Sequence, residues 1–324
     1  MYVDVRRRLV FFDASVVAAG VAGLVQYDVA TGKLEPVKGA SADDVVMHAT
    51  GDGRRLALKS AKWLMAYGKN RVRLTFLKDG TQTYQTDKFM FFWARLDPTG
   101  KYALVSGNAS RRPSGRPFVI DLDTGEVGRP ISGNLDARAG DIDPLDGKVW
   151  APDGRYENSV LSVDCRNGEI KKVRIPIGGT AIRLRFSHDG ASLFVTGSNS
   201  TVIRCDRDGS PIWSAGLAEY GDIALTDILL NESCSHLCVP LASSKRSQWG
   251  EDMIISVDKG EVEKTIVRHR GPPARLATDW FGDRLLTHSG EIIDFFSGEV
   301  LGTAIPKQPQ VGDARCAPEP AKHP

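Results

Sequence analysis

The chain has 324 residues, of which 41% are hydrophobic, so it is long enough to bury a sizeable core. Its 42 basic and 40 acidic residues are nearly balanced, which argues against a general nucleic-acid or membrane-surface protein, because such proteins normally carry a larger basic excess. The sequence contains no segment that is both long and apolar enough to be a membrane span.

The amino terminus and the cysteines bear on the compartment. The segment VRRRLVFFDASVVAAG (5–20) has the basic start, apolar run and small residues of a secretory signal, but Asp13 interrupts the apolar run. The five cysteines fit no metal-binding spacing, and reduced thiols suit a cytosolic protein. We expect a cytoplasmic protein, with secretion or a periplasmic location as the minor alternative.

A strand–turn–strand pattern recurs along the chain. Its clearest copy is FSHDGASLFV (186–195), in which two apolar stretches flank a polar turn. The turn positions of successive copies are 43 to 48 residues apart. In chain order they are Gly53, Gly100, Gly147, Gly190, Cys234, which replaces a glycine, and Gly282. One step further back, YVDVRRRLVFF (2–12) has the same pattern, which brings the number of copies to seven.

A second series of strand–turn–strand segments lies between the copies of the first. Asp, Asn and Gly occupy its turns, and these residues adopt tight hairpin conformations without strain. The glycines of this series are Gly32, Gly80, Gly125, Gly168, Gly209, Gly260 and Gly298. Two interleaved hairpin series with one period give four strands per unit.

Repeating four-stranded units of this length are typical of one architecture. The sequence predicts an all-β protein, a seven-bladed β-propeller of four-stranded antiparallel blades, over residues 1–305. A ring of blades leaves only short sheet edges exposed. Residues 306–324 are proline-rich and polar, and they predict a disordered tail.

The inner hairpins resemble those of the WD40 and YVTN-like β-propeller repeat families. The resemblance is carried by segments such as FSHDGASLFV (186–195) and RLDPTGKYALV (95–105). The chain departs from WD40 repeats, because it has no regular Gly-His before the first strand and no Trp-Asp after the third. The resemblance implies a propeller and a protein-interaction platform or scaffold, without naming a partner.

The two ends of the predicted blades differ in composition. The tight-hairpin end is acidic, which turn chemistry by itself explains, since Asp is a preferred turn residue. The long-loop end carries basic and aromatic side chains that no turn requires, and arginine and aromatic residues are enriched in interface hot spots. The candidate binding residues are Arg111, Arg112, Arg116, Arg155, Tyr156, Lys245, Arg246, Trp249, Arg268 and Arg270. An ordinary solvated loop surface is the alternative interpretation.

The function hypothesis is a non-catalytic WD40-like interaction platform. Its expected partner is a protein with an acidic surface or segment, rather than a nucleic acid, and we expect no cofactor, no metal and no membrane. Membership of a larger complex, as one subunit, is compatible with this hypothesis. The alternative is a channel-mouth enzyme, a lactonase-like or metal-dependent hydrolase or lyase, to which Asp141, Asp227 and Asp279 would contribute oxygen ligands.

Three smaller hypotheses accompany these. Cys234, His236 and Cys238 would share a face of a strand and could hold a metal, although small residues in and beside a strand are the preferred explanation. Arginines near the inner strands predict either a positive channel or partly buried ion pairs; they are Arg95, Arg138, Arg183, Arg185 and Arg275. The six histidines define no catalytic serine–histidine–acid arrangement in the sequence.

Overall fold

The fold is described from a computed structural model of the chain. The structure describes residues 2–4, 9–12, 24–28, 31, 33–41, 44–49, 54–60, 73–86, 90–97, 99–108, 117–131, 135, 139–154, 157–223, 228–231, 233–244, 251–267, 284–286 and 291–303. Every regular element in these ranges is a β-strand, and the strands form seven separate antiparallel sheets. We number the sheets 1 to 7 in chain order.

Sheets 1 to 3 are built from the first eleven strands. Sheet 1 contains β1 (Tyr2–Asp4), β2 (Leu9–Phe12), β3 (Val25–Asp28) and β4 (Lys33–Pro36). Sheet 2 contains β5 (Asp44–Ala49), β6 (Arg55–Ser60), β7 (Leu74–Lys78) and β8 (Thr81–Thr86). Sheet 3 contains β9 (Met90–Leu96), β10 (Tyr102–Asn108) and β11 (Pro117–Asp121).

Sheets 4 to 7 continue the pattern. Sheet 4 contains β12 (Asp141–Ile142), β13 (Val149–Pro152), β14 (Ser159–Val163) and β15 (Ile170–Arg174). Sheet 5 contains β16 (Ala181–Phe186), β17 (Ser192–Gly197), β18 (Thr201–Asp206) and β19 (Pro211–Gly216). Sheet 6 contains β20 (Gly221–Ile223), β21 (Leu229–Leu230), β22 (His236–Ser244), β23 (Glu251–Ser256) and β24 (Val262–Val267). Sheet 7 contains β25 (Arg284–Leu286), β26 (Glu291–Asp294) and β27 (Val300–Thr303).

The order of strands within each sheet follows the order in the chain, so each unit is an up-and-down meander. Sheets 1, 2, 4 and 5 have the four strands that the sequence predicts. In sheet 6 the innermost position is divided between β20 and β21, which both pair with β22. The innermost segment predicted for sheet 7 falls within 268–283, outside the described residues, as does the predicted tail at 306–324.

Sheet 3 lacks a regular fourth strand because of its sequence. The segment after β11 pairs with it through a single bridge, between Ile120 and Val127. The Gly128 N–H still donates to the Val119 carbonyl at 2.8 Å, but Pro130 has no N–H to donate, and the following bond to β11 runs from the Ile131 N–H to the Pro117 carbonyl at 2.7 Å. The fourth position is therefore occupied by an irregular segment.

Within a sheet, the middle strands are more buried than the outer strand. All residues of β14, β17 and β23 are buried, so these middle strands have apolar surroundings on both faces. The outer strands β4 and β19 are mostly exposed. A sheet that is buried on both faces needs a neighbouring sheet on each side.

The core consists of layers between successive sheets. Six buried clusters lie among the described residues, and each combines residues from two consecutive sheets, from sheets 1 and 2 through to sheets 6 and 7. Between sheets 4 and 5, for example, the Trp150 and Phe186 rings meet edge-on with centroids 5.8 Å apart. The chain therefore stacks its units in sequence order.

Hydrogen bonds across the sheet boundaries repeat with one period. The Arg55 Nη1 donates to the Gly100 carbonyl at 2.7 Å, and the Arg95 Nη2 donates to the Gly140 carbonyl at 2.9 Å. The Leu184 N–H donates to the Ala139 carbonyl at 2.9 Å. Partners in all three bonds are 45 residues apart, which is within the spacing of 43 to 48 residues between the sequence repeats.

Cys234 confirms the alignment of the repeats. It has a positive φ of 55°, in the left-handed region, where Gly100, Gly147 and Gly190 have values of 68°, 76° and 72°. Side chains with a Cβ seldom adopt this region. Cys234 thus holds the glycine position of the same turn in unit six, as the repeat spacing predicts.

We predict that Gly39→Ala destabilises the fold by at least about 2 kcal/mol. Gly39 has a φ of 79°, and a Cβ there would lie 2.2 Å from the Gly80 carbonyl oxygen, which is backbone and cannot move aside cheaply. Urea unfolding followed by tryptophan fluorescence measures the loss. Gly216→Ala is the matched control, because an added Cβ meets no atom within 4 Å there, and its midpoint should be unchanged or slightly raised. Equal midpoints for the two variants would contradict the prediction.

Candidate functional site

The ten candidate binding residues all lie outside the described residues. They fall in the segments 109–116, 155–156, 245–250 and 268–283, and their role stays a prediction. The strands next to three of these segments are described. β10 ends at Asn108 and β11 begins at Pro117, β13 ends at Pro152 and β14 begins at Ser159, and β22 ends at Ser244 and β23 begins at Glu251. Each pair is the second and third strand of its sheet, so these connections leave the sheet at the end opposite to both hairpins.

The hairpins between first and second strands close in the same way in four units. Asp97, Asp143, Ser187 and Asn231 each stand at the start of the turn. In every case the backbone N–H of this residue donates to the carbonyl five residues ahead, and its carbonyl accepts from the residue at the glycine position. The side chain of the first residue also takes part in the turn. Asp97 accepts from the Tyr102 N–H at 2.8 Å, and Asn231 accepts from the His236 N–H at 3.0 Å.

The outer hairpins hold their aspartates in turn hydrogen bonds as well. Asp206 accepts from the Ser210 N–H at 2.8 Å, and backbone donors likewise hold Asp121, Asp164 and Asp294. Donation by the Arg166 side chain lowers the pKa of Asp164 below the usual aspartate value, and the backbone N–H of Thr124 lowers that of Asp121.

Most acidic residues expected at the hairpin end therefore have a structural role where the structure describes them. Asp28, Asp97, Asp143, Asp164, Asp189 and Asp206 accept backbone N–H groups. Asp79 instead pairs with Arg54, and Asp123 with Arg55. Asp52 lies outside the described residues. The turn explanation of the acidic end is confirmed for the six aspartates that accept backbone N–H groups. Of the other described residues at this end, Asp258 lies 3.9 Å from the Arg204 Nη1, and Asp208 is exposed.

Asp141 and the inner-strand arginines also have partners. Asp141 Oδ2 accepts from the Phe186 N–H at 2.8 Å and lies 3.9 Å from the Arg185 Nε. This agrees with the ion-pair interpretation for Arg185, whereas Arg95 and Arg183 donate to the backbone carbonyls of Gly140 and Ile182. Arg138, Arg275, Asp227 and Asp279 lie outside the described residues. Within the described ranges, no group of three or more His, Cys, Asp or Glu side chains is arranged to hold a metal.

The four cysteines that the structure describes have structural positions in the sheets and turns. Cys165, Cys205 and Cys238 are buried, and burial raises the pKa of the Cys205 thiol to about 12. Cys234 lies in a turn that precedes β22, and its Sγ accepts from the His188 N–H at 3.4 Å. Cys234, His236 and Cys238 therefore do not share one strand face, and the metal hypothesis for them is wrong in the described structure.

The structure brings together one arrangement that sequence reasoning missed. The His236 ring lies between Ser235 and Glu263, with Nδ1 2.8 Å from the Ser235 Oγ and Nε2 3.1 Å from the Glu263 Oε2. Ser235 is the last residue of the hairpin before β22, His236 is the first residue of β22, and Glu263 is on β24. Strand pairing in sheet 6 creates this proximity, and no spacing rule in the sequence signals it.

A groove of about 650 Å³ lies between sheets 3 and 4. Val119, Ile131 and Ile170 contribute apolar side chains to it, and Arg129 and Glu126 contribute charged ones. It opens beside the irregular fourth segment of sheet 3. The groove is thus a second concave surface, apart from the predicted loop face.

Comparisons with known proteins identify the fold. No protein-family model matches the chain, and no curated protein sequence matches it. Solved structures do match. The β-propeller domain of Cps50 (Swd1) from Myceliophteria thermophila is 13% identical, with a TM-score of 0.59, covering 93% of this chain and 92% of that one.

Two further matching structures are of proteins that are named as enzymes. The periplasmic gluconolactonase PpgL of Pseudomonas aeruginosa is 19% identical, with a TM-score of 0.59, covering 91% of this chain and 94% of that one. The dihydro-heme d1 dehydrogenase NirN, in complex with DHE, is 12% identical, with a TM-score of 0.51, covering 82% of this chain and 65% of that one.

The chain has a β-propeller fold. The resemblance of its repeats to WD40 and YVTN-like propellers is confirmed for the fold, and the blade count of seven stays a prediction. The matched proteins include a propeller domain and two enzymes, so the fold alone selects no function. Among the described residues, the structure has no helix with the length and apolar character needed to cross a membrane.

We predict that Asp97→Ala costs about 2 kcal/mol of unfolding free energy, because the donors of the turn lose the buried carboxylate that accepts from them. Asp97 is 7% exposed, and it accepts from the Thr99 Oγ1 at 2.6 Å as well as from the Tyr102 N–H. Asp97→Asn should lose clearly less, since Asn231 closes the same turn in unit six. Urea unfolding of both variants checks this, and an Asn variant as unstable as the Ala variant would refute it.

Acid should weaken the fold through the turn carboxylates. The pKa of each of Asp121, Asp164, Asp189 and Asp294 is lowered in the folded chain, so the unfolded chain binds protons more readily. Their contribution is complete above the ordinary aspartate pKa of 3.8 and is lost as the pH falls through the lower folded values. Urea midpoints measured from pH 6 to pH 2 should drop, and Asp164→Asn should flatten the drop. Asp208→Asn, at an exposed turn position, is the control that leaves the slope unchanged.

Proposed function

We propose that this β-propeller binds a partner protein through its long-loop end and that this end acts as a non-catalytic interaction platform. The proposed surface consists of the ten basic and aromatic residues named from the sequence. The partner is a protein with an acidic surface or segment, and we place the complex in the cytoplasm, where buried reduced cysteines are stable. The function rests on the loop composition and on the fold.

One observation supports the proposal most strongly, namely the different use of polar side chains at the two ends of the sheets. At the hairpin end, the described aspartates mostly close turns or pair with arginines. The basic loop residues have no such task in the sequence, because the loops that carry them are longer than any tight turn requires. Side chains that the fold does not need are available for recognition.

The charge of the surface points to the class of partner. Arg111, Arg112, Lys245 and Arg246 are basic, and Trp249 is aromatic. Arginine pairs with carboxylates through two parallel hydrogen bonds, and tryptophan adds a large apolar contact. A protein surface offers both carboxylates and apolar side chains, whereas a nucleic acid would favour a stronger overall basic excess than this chain has.

A capture experiment tests the platform. The intact protein and a variant with Arg111→Glu, Arg112→Glu, Lys245→Glu and Arg246→Glu are used as baits in native lysate. We expect a specific protein to be recovered by the first and lost by the second, because the reversed charge repels an acidic partner. Mass spectrometry identifies the partner, and direct titration with the purified partner should show affinity reduced at least about a hundredfold.

A charge-matched control separates the surface from net charge. The control variant carries four substitutions at exposed residues away from the long loops, namely Lys78→Glu, Lys171→Glu, Arg174→Glu and Lys259→Glu. It shifts the formal net charge from +2 to −6, as the loop variant does. This variant should keep the partner. Loss of the partner in both variants would mean that net charge decides binding. Equal recovery by all three would move the interface elsewhere, and the groove between sheets 3 and 4 is the first place to test.

The alternative enzyme hypothesis has its own readout. If no bait recovers a partner, metal analysis of the purified protein and a lactone-hydrolysis screen come next. A bound divalent cation together with turnover would replace the platform by the channel-mouth enzyme. The similarity to a gluconolactonase concerns the fold and gives this chain no substrate.

A further inference from the structure

Ser235, His236 and Glu263 form a continuous hydrogen-bonded line on the hairpin end of sheet 6. The Ser235 Oγ is 2.8 Å from the His236 Nδ1, and the His236 Nε2 is 3.1 Å from the Glu263 Oε2. Two more groups reach the same hydroxyl. The Asn231 Nδ2 donates to the Ser235 Oγ at 2.8 Å, and the Ser233 Oγ is 2.9 Å away. We call these residues the Ser235 cluster.

The positions of the protons follow from the partners. An ionised carboxylate only accepts, so the His236 nitrogen that faces Glu263 carries the hydrogen. In the neutral ring the other nitrogen, Nδ1, is then unprotonated and accepts from the Ser235 hydroxyl. The Asn231 amide donates to the same oxygen, so the hydroxyl proton is directed at His236. This is the hydrogen-bond order of an activated serine, a nucleophile beside a base that an acid orients.

Neighbouring aromatic rings pack against the His236 side chain, whereas the Ser235 side chain is accessible to solvent. The His236 ring meets the Phe296 ring at 90° with centroids 5.2 Å apart, and Phe295 lies behind it at 6.2 Å. The Lys264 ammonium donates to the Phe296 carbonyl, which fixes the turn that carries these rings. Ser235 is exposed, and Phe296, whose ring contacts the His236 ring, is 37% exposed. A small molecule can therefore reach the hydroxyl along an aromatic surface.

We propose that Ser235 is a nucleophile for acyl transfer from small esters, with His236 as its general base and Glu263 as a positioning residue. The ester's apolar or aromatic part lies against Phe296. Asn231 donates to the oxygen on which negative charge develops as the proton leaves. This site is at the hairpin end, so it does not depend on the proposed partner surface at the loop end.

The reaction balances without a metal or cofactor. His236 Nδ1 takes the Ser235 proton while Oγ bonds to the acyl carbon of the ester, and a tetrahedral adduct forms. The adduct breaks its carbon–oxygen bond to the alcohol, which leaves with the proton from His236, and Ser235 is left acylated. Water then attacks the acyl carbon as His236 takes its proton, the bond to Oγ breaks, and the proton returns to Ser235. The products are a carboxylic acid and an alcohol.

The first experiment uses p-nitrophenyl acetate with the full chain. The expected result is a burst of p-nitrophenol close to one equivalent per protein, followed by slower turnover, with the acetyl group found on Ser235 by peptide mass spectrometry. Ser235→Ala should abolish the burst, and Ser235→Cys should keep an acylated side chain at this position. Ser214→Ala, at an exposed serine of β19, is the matched control and should behave as the unaltered protein.

The base and the positioning residue have separate readouts. His236→Gln should slow acylation about a hundredfold. Glu263→Gln should slow it at least about tenfold at saturating ester, with the concentration for half-maximal rate unchanged, and Glu263→Asp should restore part of the rate. Glu261→Gln, at an exposed glutamate that precedes the same strand, should have no effect. If Glu263 had a purely structural role, Glu263→Gln and Glu263→Asp would not differ in acylation rate in this way.

Several results would overturn the proposal. They are no burst from the unaltered protein, an equal burst from Ser235→Ala, or acetyl groups on lysines or cysteines but not on Ser235. Thermal midpoints of all variants are measured beside the kinetics. Because Glu263 is on an exposed part of β24, its variants test the proposal even if Ser235→Ala fails to fold.

Discussion

The burial of middle strands on both of their faces is the constraint on which the rest of this structure depends. The middle strands β14, β17 and β23 are buried along their whole length, which an isolated four-stranded sheet cannot achieve. Each sheet therefore packs against the next one, and the apolar clusters lie at the boundaries between them. Stacking in one direction leaves the strand ends as the surfaces from which connections emerge. Function in such a fold is confined to those ends and to the gaps between sheets.

The hydrogen bonds that close the turns then decide which polar side chains remain available for binding a partner. A hairpin end has backbone N–H groups with no strand partner, and in this protein aspartate, asparagine and serine side chains satisfy them. The acidic character of the hairpin end is thus a by-product of folding at most of the described positions. Turn chemistry sets no equivalent requirement on the sequence of the longer connections, and their composition is for this reason the basis of the proposed binding surface.

Unit six shows how one repeat can acquire chemistry while keeping the shared turn. Asn231 closes the hairpin as Asp97 does in unit three, and Cys234 adopts the backbone conformation that other units give to glycine. The turn requires only a side-chain acceptor at the first of these positions and a left-handed backbone conformation at the second. Ser233 and Ser235 are therefore free to differ from the corresponding residues elsewhere, and the hydroxyl network beside His236 forms without disturbing the blade.

The sequence by itself determined the strands, the hairpins and their period, because turn chemistry and apolar alternation act over a few residues. It thus predicted an all-β propeller and the glycine role of Cys234, and it explained most of the acidic turns. Only the tertiary structure decided which distant side chains meet. Glu263 reaches His236 because β22 and β24 flank β23 in one sheet, and Asp141 meets Arg185 because sheets 4 and 5 stack. Strand register and packing between sheets set these contacts, and neither leaves a local signal in the chain.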